Sequence, residues 1–137
     1  MTGRRAARIA AAILCLVVLF QLALVLGAPW GEFTQGGANS GTLPTSGRLL
    51  AGLSSLLLLV MAAALLARAD EGPFRGLPAR LITVLAWCTT IYAGISVALN
   101  AITPSSRERM LWLPVTFVIL LLAVVTMLKT RRDRMPR

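Results

Sequence analysis

Four runs of apolar residues, each close to twenty long, alternate with short polar stretches rich in Gly, Pro, Ser and Arg. A helix of about twenty apolar residues spans the ~30 Å hydrocarbon core of a bilayer. In hydrocarbon every peptide group must be satisfied within its own element, which a helix does. The pattern therefore predicts an all-α integral membrane four-helix bundle, one domain over residues 1–137, with spans at about 6–27, 47–67, 79–101 and 106–129.

The punctuation between spans agrees. Gly27 and Pro29 stop the first helix, and its apolar run from Ile9 to Leu26 is too long for the ~7–15 residues of a signal-peptide core, so it is expected to stay in the chain. Residues 28–46, rich in Gly, Thr, Ser, Asn and Pro, form a loop that is long for so small a bundle, and such loops carry function or mobility more often than short ones. Gly72, Pro73, Gly76 and Pro78 break the chain before the third span. Thr103, Pro104 and Ser105 make a tight turn, after which Ser105 and Glu108 fit a capping box in which the glutamate reaches back to the serine N–H. Pro114 is expected to bend the fourth helix.

Composition strengthens this reading. The chain is 57% hydrophobic, more than a soluble domain of this length can bury. Its net charge of +9 sits at span ends and forms no basic stripe interleaved with aromatics, so no nucleic-acid partner is expected. With both termini inside, the cytoplasmic flanks hold eleven basic residues: Arg4, Arg5, Arg8, Arg68, Arg75, Arg80, Lys129, Arg131, Arg132, Arg134 and Arg137. Only Arg48, Arg107 and Arg109 remain outside, and the positive-inside rule selects this orientation in a bacterial plasma membrane. The tail 129–137 can also rest on anionic membrane lipids. Cys15 and Cys88 lie inside apolar runs at no metal or redox spacing and read as buried small residues.

Two stripes of small residues recur every fourth position: Gly47, Ala51 and Ser55 on the second helix, and Ala86, Thr90, Gly94 and Ala98 on the third. Small residues let helix backbones approach in lipid, where apolar burial gives no net drive. The two stripes are expected to face one another, and a homo-oligomer or larger membrane complex is expected around them. The same residues can also be plain space-fillers.

The polar residues not spent on topology gather at the outer ends of the helices. Gln21, Trp30, Glu32, Arg48, Asn100, Glu108 and Arg109 are the candidate lining of an outward-facing ligand pocket, because polar groups near hydrocarbon are costly unless paired or functional. Each has a plainer account. Trp30 and Trp112 suit an interfacial aromatic belt, with Trp87 deeper and packed inward. Glu32 with Arg48, or Glu108 with Arg109, suits a rim ion pair of small energetic value. Asn100 can close helix three, and Gln21 can bond across helices. No histidine, no paired carboxylate within a span and no nucleophile beside a base is present, so no enzyme, metal or cofactor is expected.

GAPWGEFTQGG after the first helix, LPTSGR before the second and NAITPSSRERMLWLPV across the last junction resemble a group of small four-span bacterial membrane proteins of actinobacterial type. The resemblance covers about a third of the chain and implies a four-helix membrane fold without implying an activity. Small multidrug resistance transporters are similar in length and span number, but their pattern needs an acid within the first helix, where this chain carries Gln21. Two functions remain: a non-catalytic accessory or scaffold component assembling through the small-residue faces, or a small transporter or ligand-binding protein using the outer pocket.

Overall fold

The computed structural model describes residues 1–130; the basic residues from Arg131 onward, read above as part of a headgroup-binding tail, lie outside them. Four helices account for most of the described chain: α1 Gly3–Val25, α2 Thr45–Arg68, α3 Ala79–Ile102 and α4 Ser106–Lys129. All four are long and apolar enough to cross a membrane. The first begins a turn earlier than its hydropathy suggests, because the Thr2 side chain caps it by accepting from the Arg5 N–H at 3.3 Å.

The ends follow local chemistry. At the end of α1, Ala28 N–H returns to Ala23 O at 2.9 Å and Gly27 N–H to Leu24 O at 3.1 Å, a Schellman closure with Gly27 in the left-handed region. The same closure ends α2, where Glu71 N–H bonds Leu66 O and Asp70 N–H bonds Ala67 O, with Asp70 taking the left-handed position. Pro114 lies within α4 without interrupting it.

The helices form a ring in the order α1, α2, α3, α4 and back to α1, with α1 against α2 the most extensive contact and α2 against α3 the sparsest. Ala6, Ala10, Ala11 and Leu14 of α1 meet Met61, Ala62 and Leu65 of α2 and Ile119, Leu122 and Ala123 of α4 in the main core. A second core of Leu24, Leu43 and Ala51 closes the other end. The small residues thus point inward while bulky Leu16, Leu19, Leu53, Leu56, Ile91, Phe117 and Leu121 are exposed. Only 28% to 39% of each span is buried, so the remaining apolar surface needs lipid around it. Cys15, Cys88 and Trp87 belong to this exposed surface and not to the core expected for them, since a helix apolar on all sides carries no period to tell which face turns inward.

The small-residue stripes are used differently from expectation. Gly47, Ala51 and Ser55 are buried, but Ala51 packs with Leu24 of α1 and with Leu43. On α3, Ala86 and Thr90 are buried, Gly94 has Leu120 of α4 as its neighbour and Ala98 is exposed. Ala51 thus packs towards α1 and Gly94 towards α4, the hairpin partners of their helices, while α2 and α3 adjoin less closely than either hairpin pair.

Candidate functional site

One end of the bundle carries the start of α1, the end of α4 and the 69–78 connection; the other carries residues 26–44 and the 103–105 turn. The long loop at this second end is ordered and contains two short 3₁₀ turns, Gly31–Phe33 and Gln35–Gly37. It is bonded across the start of α4. Trp112 donates its indole N–H to Phe33 O at 2.6 Å, and Ser105 donates its hydroxyl to Glu32 O at 2.9 Å. Gly36 donates its N–H to Glu108 Oε2 at 2.9 Å, from a backbone held at φ +75°, which an L side chain rarely adopts. Gly37, at φ +70°, sits so close that an added Cβ would lie 2.7 Å from Ser105 Cβ. Phe20 stacks on Trp30 with centroids 5.7 Å apart and meets Trp112 edge-on at 4.8 Å, which ties α1 into the same end.

Glu108 is therefore a latch rather than half of a reciprocal capping box. Ser105 Oγ does accept from the Glu108 N–H at 3.1 Å, but the carboxylate bonds Gly36 N–H and the Thr103 hydroxyl, the latter at 2.6 Å, both through Oε2. The ion pairs also differ from those expected. Glu32 pairs with Arg107 at 2.5 Å, and Arg48 instead donates twice to Val25 O, satisfying a carbonyl left open at the end of α1. Gln35 ties the loop to the first turn of α2, donating to Gly47 O at 2.9 Å.

Beneath this roof lies a cavity in two parts, lined by residues of all four helices. The outer part, about 190 Å³, is lined by polar groups that include Gln21, Ser54, Ser96, Asn100, Glu108 and Thr116. The inner part, about 50 Å³, is apolar, with Leu14, Met61, Ala93, Val115 and Ile119 among its walls. The two share Val17, Leu58, Tyr92, Ser96, Trp112 and Thr116 and so adjoin. Gln21 Oε1 is buried and accepts no hydrogen bond from the described residues, contrary to the cross-helix bond expected of it. Asn100 does not end its helix; its amide donates to Ser96 O at 2.8 Å, one turn back.

Of the seven residues anticipated, the structure brings Gln21, Asn100 and Glu108 to the cavity. Trp30, Glu32 and Arg48 build the roof and its seams, and Arg109 is exposed. Sequence reasoning missed Ser54, Tyr92, Ser96 and Thr116 and counted Trp112 only as interfacial. A signal was present: Tyr92, Ser96 and Asn100 on α3, and Glu108, Trp112 and Thr116 on α4, each recur every fourth residue and so share a helix face. Among the described residues no group of three or more His, Cys, Asp or Glu side chains could hold a metal. No family model, curated protein or solved structure matches the chain.

Proposed function

We propose that this multi-pass membrane protein binds a small amphipathic molecule in the cavity between its helices, with residues 26–44 as the roof. The observation that carries the reading is the buried, unbonded Gln21 Oε1 on a chamber that also presents Ser54, Ser96 and Asn100 within the spans. A bare buried acceptor costs roughly 1–3 kcal/mol, which is recovered if the Gln21 amide turns its oxygen to a ligand donor in the chamber it lines. Polar groups converging on an apolar cavity are the usual form of a small-molecule site, and an apolar inner end beside a polar outer end suits an amphipath.

The scaffold reading keeps only Gly94 and Ala98 of its small-residue faces, since Gly47, Ala51, Ser55, Ala86 and Thr90 are buried inside the chain. We read the site as non-catalytic, because among its described lining residues Glu108 is the one carboxylate and no histidine, lysine or cysteine stands beside it. The charge distribution supports a plasma membrane of bacterial type with the termini in the cytoplasm and the cavity's polar end towards the outer leaflet.

The test is native mass spectrometry of the protein released from its own membrane. Wild type should carry a small-molecule adduct, and Ser96→Trp, which fills both parts of the cavity, should lose it while keeping its elution volume. The same adducts on both forms would remove the cavity as the binding site.

A further inference from the structure

The cavity's charge is one-sided. Among its described lining residues Glu108 is the single charged side chain, and no Lys or Arg joins it. The cations nearby in sequence are committed elsewhere: Arg48 to Val25 O and Arg107 to Glu32, while Arg109 is exposed. The Glu108 carboxylate accepts from the described residues through Oε2 alone. They come from two neutral donors, Gly36 N–H and Thr103 O–H, so the formal negative charge has no cation against it within the chamber. A carboxylate beside low-dielectric walls is stabilised by an arriving cation far more than one in bulk water.

The remaining polar lining offers acceptors at the Gln21 and Asn100 amide oxygens and at the hydroxyls of Thr34, Ser54, Tyr92 and Ser96, which accept as well as donate. Gln21 Oε1 is a buried acceptor without a partner. Asn100 has spent an amide N–H on Ser96 O, and Trp112 has spent its indole N–H on Phe33 O. What the indole still offers the chamber is aromatic surface, to which a cation is attracted. The inner end, walled by Leu14, Met61, Ala93, Val115 and Ile119, takes only an apolar group.

We infer that the ligand is a small amphipathic primary amine in its protonated form, its ammonium matched to Glu108, Gln21 and Asn100 and its apolar end seated among Met61, Val115 and Ile119. This rests on the cavity being a binding site, as proposed above, and adds the sign of the ligand and its donor character. An ammonium has three N–H donors and a positive charge, which the carboxylate, the amide oxygens and the hydroxyls of the lining can accept together. An anionic headgroup would meet Glu108 with no counter-charge.

The experiment is calorimetric titration of the full chain in lipid nanodiscs with three probes of one shape: phenethylamine, phenethyl alcohol and 3-phenylpropionate. The amine should bind at least about tenfold more tightly than the alcohol, the difference expected of a charge-assisted bond, and the propionate should be weakest. Glu108→Gln should remove that preference. Because Glu108 also latches the roof, Asn100→Lys is the second variant; it places a cation beside Glu108, cancels the chamber's formal charge and should abolish the preference for amine over alcohol and propionate. Equal binding of amine and alcohol, both lost in Ser96→Trp, would overturn the amine assignment and leave the cavity standing. Binding of all three probes that Ser96→Trp does not alter, or no binding of any probe, would overturn the cavity reading itself.

Discussion

At the loop end of the bundle, Ser105, Glu108 and Trp112 reach across more than seventy residues of sequence to Glu32, Gly36 and Phe33, and each of those bonds is a neutral or charge-assisted hydrogen bond to backbone. At the terminal end the ion pair joining distant elements is Arg8 with Glu71 at 2.7 Å, and Arg4, Arg5, Arg75 and Arg80 are exposed. One end is built by specific geometry that holds a long loop over a partly open polar chamber. The other is a field of positive charge for which the number of cations matters more than their placement. The comparison separates residues that set orientation, which should tolerate exchange of Arg for Lys, from residues that shape the cavity, which should not.

The sharpest way to break the loop end is Trp112→Ala. It removes the bond to Phe33 O, the edge-on contact with Phe20 and a wall of both parts of the cavity. Loss of a large packed aromatic costs about 3–5 kcal/mol, so thermal unfolding in detergent should drop well below wild type and protease should cut within residues 26–44. A wild-type melting curve and an intact loop would show that the roof does not depend on this contact.

Gly37→Ala is a subtler strike at the same seam. It adds one carbon 2.7 Å from Ser105 Cβ at a backbone φ of +70°. The strain of that conformation alone is roughly 1–3 kcal/mol, and the clash is with a cap residue that cannot move without releasing the Glu108 N–H. The expected outcome is partial protease sensitivity of the loop, with α1 and α2 still associated. Gly94→Ala is the control, because its added carbon finds only Leu120 Cδ1 at 3.9 Å and should leave the melting point within error.

How much of this was legible beforehand follows from which forces are local. Span number and span ends depend on hydropathy and on caps such as Gly27 and Ser105, which act within a few residues: all four spans were legible, the starts of α3 and α4 to the residue, while the start of α1 lies three residues before the expected one. Gln21, Asn100 and Glu108 stood out because polar groups at span ends are expensive, and all three line the cavity. Glu32 and Arg48 were paired with one another because they share the loop region, whereas the folded loop carries Glu32 to Arg107, a choice made by tertiary structure alone. Thr116 escaped notice because its hydroxyl bonds Trp112 O one turn back and so carries no visible cost. The stripes on α2 and α3 told which residues are buried but not against what, since a small residue fits any close neighbour.

The terminal end gives the smallest predicted effect, and its sign can be worked out. The hydrogen bond from Arg8, more than the bare attraction of its charge, holds the Glu71 carboxyl below the usual carboxylate range. A carboxyl depressed on folding binds fewer protons in the native state, so the pair's contribution is present above the unfolded value and is lost as pH falls through the folded one. An exposed pair of this kind contributes little and is screened by salt. Wild type and Glu71→Gln should therefore differ slightly in melting temperature at neutral pH and low salt, and the two curves should converge below about pH 4, the ordinary glutamate range, or in high salt. A difference that widened on acidification would mean that Glu71 is held by something other than the Arg8 guanidinium, and the terminal end would then be more specifically built than its charge pattern implies.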